Sequence, residues 1–261
     1  MIGVAGCGRM GGPMLAALLK GGFDAKGFDV VPKASPDVSN DPSDFATDLE
    51  TLITVVRDIP QTDDVLFGAQ CFVNAPQLRT IVISSTLSPR YVSDLRARVP
   101  AHIALIDAPM SGAQIAAEHA TLSFMLGGNS KDLDAAQPML DAMGTHFHRM
   151  GGFGSGMQAK VLNNLLAASN TAMTRLVLDW ADKASIDETA LLNLIQTSSG
   201  QNWFASGFDT IEFARDGHDP ENTIGILVKD VASALDAAPA QSDTSLPLAI
   251  QNAIKALKPR P

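Results

Sequence analysis

The run Gly6-Cys7-Gly8-Arg9-Met10-Gly11 carries the most direct chemical implication in this chain, because its glycines expose backbone where an apolar strand turns into a helix. Gly6 permits the tight turn. Gly8 lets a pyrophosphate approach the backbone, and Gly11 lets the helix pack on the strand, while the helix start beside Arg9 and Met10 holds the anion. Such a dinucleotide site also needs an acid at the end of the second strand, to accept hydrogen bonds from the adenine ribose. Asp29 stands there, 18 residues after Gly11, followed by Val30 and Val31 with no arginine to hold a 2′-phosphate. The expected cofactor is NAD in preference to NADP.

Hydride exchange with a carbinol then requires a group that takes or gives the hydroxyl proton. A tyrosine with a lysine four residues on is excluded, since the only tyrosine is Tyr91 and Leu95 occupies the second position. Cys7 and Cys71 are too few for a zinc site of the alcohol-oxidising kind. His146 and His148 flank Phe147 in a strand or turn, where an ordinary exposed pair is expected. Lys160 remains. It shares one face of a long helix with Asn164 at i+4, and Asn163 flanks them. Partial burial lowers a lysine's pKa and lets it alternate between base and acid. The same three residues also suit a solvated helix face, and spacing alone leaves both readings open.

The elements that must position these residues fall into two halves. Apolar runs at 2–5, 25–29, 52–56, 80–84, 103–107 and 122–126 alternate with helical patterns, which predicts a doubly wound, mainly parallel α/β sheet of the Rossmann type. The first helix is expected over 10–20, with Met14, Leu15, Leu18 and Leu19 on one face and Gly21-Gly22 ending it. After the glycine cluster at 151–156 the pattern is helical, with helices expected at 156–184, 187–196, 223–237 and 247–257. The expected domains are 1–153, holding the dinucleotide, and an all-α 154–261, joined by the long helix and flanking the site as a cleft. Trp203, Phe204 and Phe208 are expected to pack in the helical core. A net charge of -9 and no basic block argue against nucleic acid. No apolar run is long enough to span a bilayer, and two cysteines without a leader pattern suggest a soluble, cytoplasmic protein.

Four motifs in order, Gly6 to Met14, Asp107-Ala108-Pro109-Met110-Ser111-Gly112-Ala113 leading to 121–128, Gly154-Ser155-Gly156 with Lys160 to Asn164, and Lys229-Asp230, together resemble the β-hydroxyacid dehydrogenase family. That family includes 3-hydroxyisobutyrate dehydrogenase and is related to 6-phosphogluconate dehydrogenase. The resemblance implies that Ser111 and Gly112, with Ala113, bind a substrate carboxylate. It implies Lys160 as general acid/base, Asn164 as the residue orienting substrate and lysine, and Asn163 and Asp230 on the substrate side. Ser85, Thr86 and Lys229 match segments that approach the cofactor. The implied reaction interconverts a small 3-hydroxy acid and its semialdehyde or 3-oxo acid, in a homodimer or homotetramer.

The chain departs from the family at a few places. Ala113 and Ala120 stand where the family usually has glycine, changes expected to be small, and Arg57-Asp58 replaces apolar residues and a proline. A Gly- and Asp-containing segment typical of the family's last helices is missing before Pro261. An imine reductase on the same architecture is one alternative, which Lys160 argues against, and a non-catalytic dinucleotide sensor is another.

Overall fold

Strands whose neighbouring residues are both buried require a sheet covered on its two faces, and the computed structural model, which describes residues 1–261, is built on such strands. The chain divides into two compact units, Met1–Lys160 and Val161–Pro261.

In the first unit, β1 (Ile2–Ala5) lies between β2 (Ala25–Phe28) and β4 (Thr51–Thr54), parallel to both. β3 (Val38–Ser39) extends the β2 side, and β5 (Thr80–Ile83) and β6 (Ala104–Asp107) extend the β4 side, also in parallel. Beyond β6 the direction changes: β8 (Leu122–Gly127) runs antiparallel to β6 and to β7 (Met110–Ser111), and β9 (Gly144–Gly151) is parallel to β8. The full order is β3-β2-β1-β4-β5-β6-β8-β7, with β9 on β8. The strand order reverses around β1, and ligands of open α/β sheets bind at the carboxyl ends of strands at such a point.

Alternation sorts the core. Val4, Ile53, Val82 and Ile106 face α1 (Gly11–Lys20) and α6 (Ser130–Asp141), while Ala5, Leu52, Ile81, Ile83 and Leu105 face α2 (Pro42–Ala46), α3 (Ile59–Leu66) and α4 (Pro89–Arg98). Three strands end earlier than the apolar runs predict, β2 at Phe28, β4 at Thr54 and β5 at Ile83. Val56 N–H donates to Ser85 Oγ at 2.9 Å instead of to a neighbouring strand, and Asp29 turns its carboxylate back on Val31 N–H at 2.9 Å. α1 closes on Gly22, whose φ of +81° lets Phe23 N–H reach Leu18 O at 3.1 Å and Gly22 N–H reach Leu19 O at 3.0 Å. β9 carries His146 and His148 on exposed positions, as expected of an ordinary pair, with Phe147 stacked on Phe124.

α7 (Ser155–Lys183) begins in the first unit and continues into the second, which adds α8 (Glu188–Gln196), α9 (Trp203–Ser206), α10 (Thr223–Asp236) and α11 (Ser245–Lys255). Ala168 and Ala172 pack with Ile224, Leu227, Val231 and Ile254, and a second cluster joins Leu178, Leu192, Phe204 and Phe208. Trp203 departs from the expected core role: it is 42% exposed, edge-on to the fully buried Phe204. The last residues are held by buried arginines. Arg175 donates to Ala214 O and Asp216 O, each at 2.8 Å, and to Lys258 O, and Arg260 pairs with Asp179, Asp182 and Glu188.

Candidate active site

The turn after β1 is shaped by what has no room. A Cβ on Gly6, where φ is +97°, would sit 2.5 Å from Val55 O, and one on Gly11 would collide with Gly6 O. Gly8 differs, because a Cβ there meets nothing within 4 Å. The protein's own packing therefore does not demand glycine at this position, and the open backbone suits a pyrophosphate. α1 has no acid in its first turn to compete for its N–H groups. Arg9 is exposed and Met10 half-buried at this mouth.

Asp29 is tied to the same turn. Cys7 N–H donates to its Oδ2 at 3.0 Å, while Oδ1 takes Val31 N–H. Lys33 Nζ lies 3.3 Å from Oδ2. This cation stands four residues after Asp29 in the chain. Lys33 also lines, with Cys7, Gly12, Leu15 and Ser35, a cavity of about 330 Å³. Burial, with the Asp29 charge adding to it, pushes the Cys7 thiol up to about 11. These residues fit a dinucleotide: an open glycine at a helix start, and a carboxylate at the end of β2.

Ser85 is buried, and its hydroxyl accepts from Val56 N–H and donates to Thr54 O, so it ties the end of β5 to that of β4. Thr86 beside it is half-buried. Neither caps α4; Ser88 does, accepting from Tyr91 N–H. Ser111 pairs with Ser123 at the end of β7, and Gly112, with φ +133°, precedes α5 (Ala113–Glu118). Ala113 and Ala120, at either end of α5, both hold φ of +54°. A left-handed alanine is strained, so these departures are not the small changes expected of them.

Lys160 and Asn164 are 8% and 9% exposed, one turn apart on α7. That overturns the solvated-face reading, since both side chains leave water. Asn163 is exposed and donates to Asn164 Oδ1 at 3.5 Å. In the second unit Asn164 Nδ2 donates to Asp230 Oδ2 at 2.6 Å, and Asp230 is only 4% exposed. Lys229 Nζ lies 3.7 Å from Asp230 Oδ1. A buried carboxylate thus fixes which way the Asn164 amide points, leaving its oxygen as an acceptor. No cluster of three His, Cys, Asp or Glu able to hold a metal is present, and no helix is long and apolar enough to cross a membrane.

Residues 1–152 match the model of the NAD binding domain of 6-phosphogluconate dehydrogenase, and residues 154–257 match that of the NAD-binding region of NADP-dependent 3-hydroxyisobutyrate dehydrogenase. The chain belongs to the β-hydroxyacid dehydrogenase family. Like its family it is an NAD(P)-dependent hydroxyacid dehydrogenase. The mitochondrial 3-hydroxyisobutyrate dehydrogenase of Rattus norvegicus is 29% identical over 252 residues, covering 91% of this chain and 75% of the relative. L-threonate dehydrogenase of Cupriavidus necator is 28% identical over 247 residues, covering 91% and 83%. The structure of Mycobacterium tuberculosis 3-hydroxyisobutyrate dehydrogenase with L-serine superposes with a TM-score of 0.80 at 24% identity, over 98% of this chain and 95% of that one.

Proposed function

We propose that this β-hydroxyacid dehydrogenase interconverts a small 3-hydroxy acid and its semialdehyde or 3-oxo acid, using NAD in preference to NADP, with Lys160 as general acid/base. The observation that carries this reading is the burial of Lys160 and Asn164 together on one face of α7. A cation and an amide are withdrawn from water at adjacent turns only where they serve each other or a ligand. Gly6, Gly8, Arg9, Met10 and Gly11 would hold the pyrophosphate and Asp29 the adenine ribose. Ser85, Thr86 and Lys229 are assigned to the cofactor on resemblance. When bound, the nicotinamide supplies hydride exchange with the substrate carbon.

In oxidation Lys160, as neutral amine, takes the proton of the substrate hydroxyl, and in reduction its ammonium returns a proton to the carbonyl oxygen. The Ser111 hydroxyl and the N–H groups of Gly112 and Ala113 would receive the carboxylate. Asn164, its amide held by Asp230, would orient substrate and lysine, with Asn163 and Asp230 on the substrate side. The names of the relatives, 3-hydroxyisobutyrate and L-threonate dehydrogenases, support a short acid with a hydroxyl near the carboxylate. Leu162, Leu166, Met173, Leu176 and Trp180 are exposed at helical intervals along α7, which supports a homodimer or homotetramer. The two unpaired cysteines suit a reducing compartment such as the cytoplasm.

The test is a screen of small 3-hydroxy acids and semialdehydes with NAD and with NADP, read as absorbance of the reduced nicotinamide. Turnover of at least one acid, faster with NAD, is expected. NAD binding with no turnover of any hydroxy acid or semialdehyde would overturn the reading.

A further inference from the structure

Asp107 ends β6 fully buried, the one charged residue in the strand Ala-Leu-Ile-Asp. A carboxylate withdrawn from water needs a reason. Its Oδ1 accepts from Gly154 N–H at 2.7 Å and its Oδ2 from Met157 N–H at 2.5 Å, residues 47 and 50 positions further on. Gly156 N–H bonds to it as well. All three donors surround the start of α7, where four N–H groups have no partner within the helix. A residue from the sheet thus does for α7 what a local serine or aspartate does at most helix starts.

The surrounding backbone is closed tightly on this group. A Cβ on Gly127 would collide with Asp107 Oδ1, and one on Gly156 would lie 2.9 Å from Oδ2 and 2.9 Å from Gly127 N. Gly154 holds φ of +96°, which brings its N–H round to the carboxylate. Leu87 N–H adds a contact to Met157 Sδ at 3.4 Å, and Met157 is fully buried. Burial pushes the Asp107 carboxyl up, and the N–H groups of Gly154, Met157 and Gly156 oppose it. Lys160 follows Met157 by three residues, so the lysine projects from the turn directly after the one that Asp107 clamps.

We propose that Asp107 is a positioning residue for Lys160: by capping α7 from the end of β6 it fixes the rotation and height of the helix's first turn relative to the sheet, and with them the place of the lysine amine. This rests on the reading of Lys160 as acid/base. It also gives Gly154-Ser155-Gly156 a physical purpose, since the glycines let three N–H groups converge on one carboxylate. An asparagine here keeps the shape but turns an N–H₂ toward the N–H donors on one of its two sides, so part of the cap is lost with little change of volume.

The experiment is a double-mutant cycle of Asp107→Asn with Lys160→Ala, measuring kcat and the KM for NAD. Misplacing a catalytic group by about 1 Å costs on the order of 100-fold, so Asp107→Asn should lower kcat by roughly 10- to 100-fold and leave the KM for NAD within about twofold. In the Lys160→Ala background the same substitution should change residual turnover by less than about twofold, because there is no longer an amine to place. An unchanged kcat in Asp107→Asn, or an equal loss in both backgrounds, overturns the proposal. If the asparagine variant does not fold, Asp107→Ser replaces it in the cycle; if neither folds, the carboxylate belongs to folding alone and the proposal falls. Wild-type turnover in Lys160→Ala alone would be a separate failure, of the lysine's role. A kcat loss from Asp107→Asn would then persist without the amine and overturn the positioning role too.

Discussion

α1 and α5 end in the same hydrogen-bonded turn but with different residues at its crux. After α1, Gly22 takes φ of +81°. After α5, Ala120 takes φ of +54° so that Thr121 N–H can reach Ala116 O at 2.8 Å and Ala120 N–H can reach Ala117 O at 3.2 Å. Glycine suits that position because it has no Cβ to meet the neighbouring carbonyl. An L-residue there costs about 1–2 kcal/mol, while glycine costs about 0.4–1 kcal/mol through the freedom it adds to the unfolded chain. Ala120→Gly should therefore stabilise the protein by about 0.5–1 kcal/mol, and Ala113→Gly by a similar amount on the same argument. Raised melting temperatures of about 1–4 °C are expected for each, followed by circular dichroism. Ala253→Gly is the control: it is exposed within α11 and should lose about 1 kcal/mol. If Ala120→Gly and Ala113→Gly lower the melting temperature as the control does, the strain argument is refuted.

Gly8→Ala should leave thermal stability within about 0.5 kcal/mol, since the added carbon meets nothing, yet raise the KM for NAD by about tenfold or more by standing where the pyrophosphate comes; unchanged KM would remove Gly8 from the cofactor site. Removing the ribose acceptor with Asp29→Ala should weaken NAD by roughly 10- to 100-fold. Lys33→Ala should leave Asp29 uncompensated beside a 2′-phosphate, so kcat/KM with NADP falls by roughly tenfold while that with NAD holds, as steady-state kinetics with both cofactors will show. A thiol reagent at pH 8 should modify the half-exposed Cys71 and spare Cys7, seen by peptide mapping. Because the folded state holds the Cys7 proton from its ordinary value of 9.0 up to about 11, the stability it contributes is fully present below pH 9 and is lost as pH rises toward 11. A Cys7→Ser variant should show a flatter fall in that window.

Much of the frame was legible because its signals are local. The strands of the parallel half are short apolar runs, α1 is bounded by a glycine turn and Gly21-Gly22, and Asp29 is found by counting from Gly11. What escaped depends on partners distant in the chain or on dihedral angles. Nothing within residues 122–127 announces that β8 runs against β6, since direction is set by the connection through β7 and α5. Asp107 is visible as a lone charge ending an apolar run, but its donors lie beyond three intervening strands and two helices. Ala113 and Ala120 read as mild substitutions until their φ angles are known. Lys33 is separated from Asp29 in sequence and adjacent to it in space. Lys160 shows the limit of spacing: the i, i+4 pattern is the same on a wet face and a buried one, and only its exposure of 8% separates the two.

The central claim is that Lys160 moves the substrate proton, and Lys160→Ala tests it most directly. With the best acid found in the screen, kcat and the dissociation constant of NAD are measured side by side, the latter by quenching of protein fluorescence. Loss of a general acid/base predicts a fall in kcat of about 10²- to 10⁴-fold with NAD affinity retained. Turnover within about tenfold of the unmodified enzyme would contradict the account and take Lys160 out of the mechanism.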